Sequence, residues 1–126
     1  MPILPAEGIT FDVDTEITIV GAGACGLVAA LAANDAGAQV IVLERDPVPQ
    51  GSTALSSGLI PAAETKAQKS QGLGDSFSQM AADINNKAHH ETDSAIVEAV
   101  CRQSALSINW LNDIHGLKLT VIDSFL

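Results

Sequence analysis

The chain has 126 residues, 47% of them hydrophobic and 17% charged, which is globular composition and excludes an intrinsically disordered chain. Fifteen acids against six lysines and arginines give a net charge of −9. That balance argues against nucleic acid or an anionic membrane as partner, because both demand a basic patch, and it fits a soluble cytoplasmic surface.

Met1 to Gly8 contain two prolines, one acid and no basic residue, so no secretory leader is expected. Thr15 to Val20 (TEITIV) is a β-branched run that predicts a short buried strand. Gly21 to Gly26 form a glycine-rich turn. Leu27 to Ala36 read as a helix of small residues that Gly37 ends. The apolar stretch from Val20 to Ala33 stops at Asn34 and Asp35, short of a membrane span. Gln39 to Leu43 (QVIVL) predict a second strand, closing a βαβ-type unit.

Pro47 to Ala63 read as a loop, and Lys66 to Gly74 as polar and weakly structured. Asp75 or Ser76 can cap a helix whose apolar residues Phe77, Met80, Ala81 and Ile84 fall at helical spacing. Thr92 or Asp93 can cap a longer helix with a stripe of Ile96, Val97, Val100, Cys101, Ile108 and Leu111, ended by Gly116. Leu117 to Ile122 alternate and predict a strand. The fold class expected is α/β: a Rossmann-like βαβ unit and loop over 1–63, then a helical segment over 64–126 ending in a strand. Two neighbouring strands leave bare sheet edges, which soluble proteins avoid. The chain also halts just after a strand, at Phe125 and Leu126, so the sheet is expected to be completed by another chain.

The chemistry-bearing motif is Gly21-Ala22-Gly23-Ala24-Cys25-Gly26. A lone GxGxxG is weak, but here it follows a strand and opens a helix. Gly21 permits the tight turn, Gly23 lets backbone approach a pyrophosphate, and Gly26 lets helix pack on strand. Free N–H groups at the helix start favour phosphate. Glu44 ends the second strand roughly 20 residues on, where a carboxylate receives the adenosine ribose hydroxyls and repels a 2′-phosphate. FAD and NAD share this fingerprint. The small, polar, glycine-punctuated segment from Gln50 to Gly58 favours FAD, since it can follow an extended diphosphate and ribityl chain. The alternative is an NAD-binding or non-catalytic Rossmann module. An NAD-dependent dehydrogenase would need a third parallel strand soon after Glu44, where the sequence offers a loop and helices.

Several other residues point to no site. Adjacent His89 and His90 do not converge on one point of a helix, so no metal site is expected. His115 fits a helix C-terminus. Cys25 sits at a variable motif position near phosphate, and Trp110 and Leu111 read as core or interface. Cys25 and Cys101 have neither metal nor redox spacing and fit reduced cytosolic thiols.

On the segments ITIVGAGACG and IVLERDPVPQGSTALSSGLI, supported by DSAIVEAVCRQSALSINWLNDIHGL, the chain resembles the flavoprotein family of fumarate reductase and succinate dehydrogenase flavoprotein subunits and 3-ketosteroid dehydrogenases. The resemblance covers the family's amino-terminal portion only. It implies that Gly21, Ala22, Gly23, Ala24, Cys25 and Gly26 meet the FAD diphosphate and that Glu44 and Arg45 meet the adenosine end. It assigns Gly51, Ser52, Thr53, Ser57 and Gly58 to the inner phosphate, ribityl chain or flavin. Members with covalent FAD carry a His near Ser52; none stands here, so FAD is expected to be non-covalent. The sequence also departs from the family's paired glycines at Gln50-Gly51 and Gly58-Leu59. The implied activity is oxidoreduction of a small-molecule substrate through flavin N5, at a carbon–carbon bond beside a carbonyl or carboxylate. Catalytic side chains are expected on a second polypeptide carrying the rest of the FAD and substrate domains.

Overall fold

In a computed structural model, the structure describes residues 5–122; the ends, including Phe125 and Leu126, lie outside it. The chain divides into two compact units, Met1–Leu59 and Ile60–Leu126.

The first unit is built on β1 (Ile17–Val20), α1 (Ala24–Asp35) and β2 (Val40–Leu43). β1 and β2 pair in parallel, Ile17 opposite Val40 through Val20 opposite Leu43. Thr15 and Glu16 fix that register at its start. The Thr15 hydroxyl donates to the Gln39 carbonyl at 2.8 Å, and the Gln39 N–H donates to the Glu16 carboxylate at 2.8 Å. Helix α1 stops because Gly37 takes φ 89°, a left-handed value that glycine adopts freely, and its N–H closes on the Asn34 carbonyl at 2.9 Å. Among the described residues one helix covers this two-stranded sheet, so much apolar surface stays open. Val20 is 85% exposed and Leu43 52%, while Ala22 in the turn is buried.

Three expectations are corrected in this unit. β1, expected to be buried, is largely exposed, because among the described residues the sheet has just two strands and one helix against it. The helix begins at Ala24, inside the glycine motif, not at Leu27. Small side chains and Gly23 as the extended N-cap let the turn pass directly into helix. The loop after β2 contains one helical turn, α2 (Ser52–Leu55), which starts after Gly51 at φ 77°.

The second unit holds α3 (Lys66–Ser70), α4 (Phe77–Lys87) and α5 (Ser94–Asp113). The segment expected to be weakly structured forms α3, because Thr65 and Gln68 make a reciprocal capping box. Ser76 caps α4 through the Gln79 N–H, and Asp93 caps α5 through the Ala95 and Ile96 N–H groups. Phe77, Met80, Ala81 and Ile84 are half-buried along one face of α4. On α5 the buried positions are Val97, Cys101, Ile108 and Leu111. Ile96 and Val100, expected in that stripe, are 63% and 57% exposed. They stand one position before Val97 and Cys101, which turns them about 100° around the helix, off the packed face. The expected strand at Leu117–Ile122 does not form among the described residues. Instead the Leu119 N–H bonds the Asn112 side chain at 2.9 Å, folding the segment back on the end of α5.

Candidate functional site

Parallel pairing brings the carboxyl ends of β1 and β2 side by side, and the residues singled out by the motif lie there. The Gly21 N–H donates to the Leu43 carbonyl at 2.7 Å, extending the ladder by one bond into the turn. The backbone then reverses at Gly21, whose φ of 101° strains any residue with a Cβ. Gly26 has the tightest steric requirement in the turn. A Cβ there would stand 2.0 Å from the Gly21 carbonyl oxygen and 3.2 Å from the Ile19 side chain. Helix and strand pack this closely only because position 26 has no side chain. At Gly23 a Cβ would meet, among the described residues, just the Thr53 hydroxyl at 3.5 Å, an ordinary contact, so that side of the turn's midpoint is approachable.

Glu44 closes the other side. One carboxylate oxygen accepts the Ala22 N–H at 2.8 Å and the other accepts the Asp46 N–H at 3.1 Å. These donors stabilise the charged form, the Ala22 contact most, and hold the carboxyl below its ordinary value of 4.5. Glu44 therefore stays ionised at neutral and mildly acidic pH while solvent-exposed. Beside it, Arg45 pairs with Asp46 at 3.3 Å, its side chain 90% exposed.

The start of α1 has no side-chain cap of its own and no acid in its first turn. The Ala24 N–H is taken by the Thr53 hydroxyl at 3.0 Å. That contact draws Gly51, Ser52 and Thr53 up to the glycine turn, although they lie almost thirty residues away in sequence. Ser57 and Gly58 follow in exposed loop, where the Gly58 N–H bonds the Ser56 hydroxyl at 3.2 Å. Cys25 is an exposed free thiol on the first turn of α1, and Cys101 is buried in the second unit. The sequence did not reveal the Ala22–Glu44 and Ala24–Thr53 bonds. The signal for the second was a hydroxyl residue two places after Gly51, which alone does not say what it bonds.

The elements suit a dinucleotide diphosphate. A helix begins without a neutralising acid, the backbone at Gly23 is approachable, and a carboxylate stands at the neighbouring strand end. Residues 16–122 match the family model described as FAD binding domain. The chain belongs to that FAD-binding family, and FAD is its cofactor. It is 37% identical to a urocanate reductase of Eggerthella lenta over 83% of this chain, and 34% identical to a cytochrome-type fumarate reductase of Shewanella frigidimarina over 76%. Among solved structures it is similar to a flavocytochrome c3 fumarate reductase in an open conformation (TM-score 0.72, 33% identity, 79% of this chain and 18% of that one). It is also similar to a 3-ketosteroid-Δ4-(5α)-dehydrogenase of Rhodococcus jostii in complex with 4-androstene-3,17-dione (TM-score 0.75, 31% identity, 86% and 23%). The chain spans only 17% of the length of each of those two curated reductases. No helix among the described residues is long and apolar enough to cross a membrane.

Proposed function

We propose that this chain is the FAD-binding portion of a flavin-dependent oxidoreductase acting on a carbon–carbon bond beside a carbonyl or carboxylate. The observation that carries the reading is the convergence of the Gly21–Gly26 turn, the Glu44 carboxylate and the Gly51–Thr53 segment at one end of the parallel sheet. In this reading the turn from Gly21 to Gly26 holds the diphosphate at the start of α1. Glu44 orients the adenosine ribose through its ionised oxygens, with Arg45 at the same end. Gly51, Ser52, Thr53, Ser57 and Gly58 follow the cofactor towards its ribityl chain and ring. FAD is held without a covalent bond, since no histidine stands near Ser52. The flavin supplies hydride and electron-pair chemistry when bound.

The chain contributes binding and orientation, and the substrate-facing residues belong to further polypeptide. Two features support that assignment: the short span of the relatives that the chain matches, and the exposed apolar surface of β1 and β2. The reductase and ketosteroid dehydrogenase relatives support the substrate class. The acidic composition and two free thiols support a cytoplasmic location.

The test is the intact mass and visible spectrum of the natively purified protein. A yellow preparation containing this chain with a larger polypeptide, and releasing FAD on denaturation, is the expected result. A colourless single species of this chain's mass would overturn the flavin reading.

A further inference from the structure

The Thr53 hydroxyl does what neither the turn nor α1 does for itself. Gly23, the N-cap, has no side chain to accept an N–H from the first turn of α1. Thr53 approaches from the following segment and accepts the Ala24 N–H at 3.0 Å. Among the described residues its oxygen is also the atom that a Cβ at Gly23 would meet, at 3.5 Å. The segment it belongs to is otherwise weakly held: α2 is a single turn, Gly51 sits at φ 77°, and residues 51–58 are all exposed.

From this geometry we infer that Thr53 is a positioning residue: its hydroxyl latches the 51–58 segment to the start of α1, setting the segment beside the diphosphate turn before FAD arrives. The inference rests on the FAD-binding reading above and deepens it. Ordering a loop in advance removes part of the entropy that binding would otherwise lose. Losing one solvent-exposed hydrogen bond of this kind should weaken binding about threefold. The latch needs an acceptor oxygen at position 53 and nothing else from the side chain. Serine therefore serves, and isosteric valine does not.

The experiment compares wild type, Thr53→Val and Thr53→Ser in the complete flavoprotein, stripped of FAD and then titrated with it. Amide hydrogen exchange is followed across 22–26 and 51–58 in the FAD-free state. For Thr53→Val the expected result is faster exchange at Ala24 and through 51–58 without FAD, together with about threefold weaker FAD binding. Thr53→Ser should match wild type in both. Unchanged exchange in FAD-free Thr53→Val overturns the latch, even if FAD affinity falls, because Thr53 would then act only as a direct cofactor contact. Failure of serine to restore protection also overturns it. If wild type binds no FAD, the functional reading fails, while the exchange comparison still decides whether the latch exists.

Discussion

Gly26→Ala is the sharpest test of how the glycine turn is built. The new methyl would stand 2.0 Å from the Gly21 carbonyl oxygen, where real contacts essentially never fall below 3.0 Å. Turn or helix must therefore move by at least about 1 Å, and neither side is a flexible side chain that can swing away. Overpacking of this kind costs about 1–3 kcal/mol. Alanine's better helix propensity returns at most about 1 kcal/mol. A net loss of about 1–2 kcal/mol is expected, a drop of about 0.5–1 M in the urea midpoint. Displacement of the Gly21 carbonyl also shifts the Ala22 N–H away from Glu44, so FAD affinity should fall by about tenfold or more. The control is Gly74→Ala, where an added Cβ meets nothing within 4 Å and φ is not left-handed; it should be neutral or stabilise by up to about 1 kcal/mol. Equal urea midpoints for Gly26→Ala and wild type would refute the close-packing argument.

Glu44 predicts an acid dependence. Its folded pKa lies below the ordinary 4.5, so its contribution is complete above that value and disappears as pH falls through the lower folded value. FAD affinity should hold steady from neutral pH to the ordinary carboxylate range and drop below it, whereas Glu44→Gln should bind more weakly at neutral pH and lack that step. A matching acid step in the glutamine variant would assign the titration elsewhere. Asp93→Ala removes the acceptor for two N–H groups at the start of the 20-residue α5 and should cost about 1 kcal/mol in chemical denaturation. His90 holds φ 60°, so His90→Gly should raise stability by about 0.5–1 kcal/mol in thermal melts; a lower melting temperature would count against strain at that turn.

Strand, glycine turn, helix, strand and terminal acid were legible in the sequence because each depends on local order. β-branched runs, positive-φ glycines and a small-residue helix declare themselves within a few residues. The same locality made the caps at Ser76 and Asp93 readable. Periodicity alone did not decide which α5 residues face inward. Two adjacent apolar pairs, Ile96–Val97 and Val100–Cys101, fit the pattern equally well, and tertiary packing buried the second member of each. The alternation of Leu117 to Ile122 signalled a strand, but a strand needs a partner, and there the Asn112 side chain supplied the bond instead. The two bonds that assemble the site, Glu44 to Ala22 and Thr53 to Ala24, cross more than twenty residues of chain. Sequence fixed which groups could make them. Parallel pairing of β1 with β2 determined that they meet, because it sets both strand ends, and the loops leaving them, at one edge of the sheet.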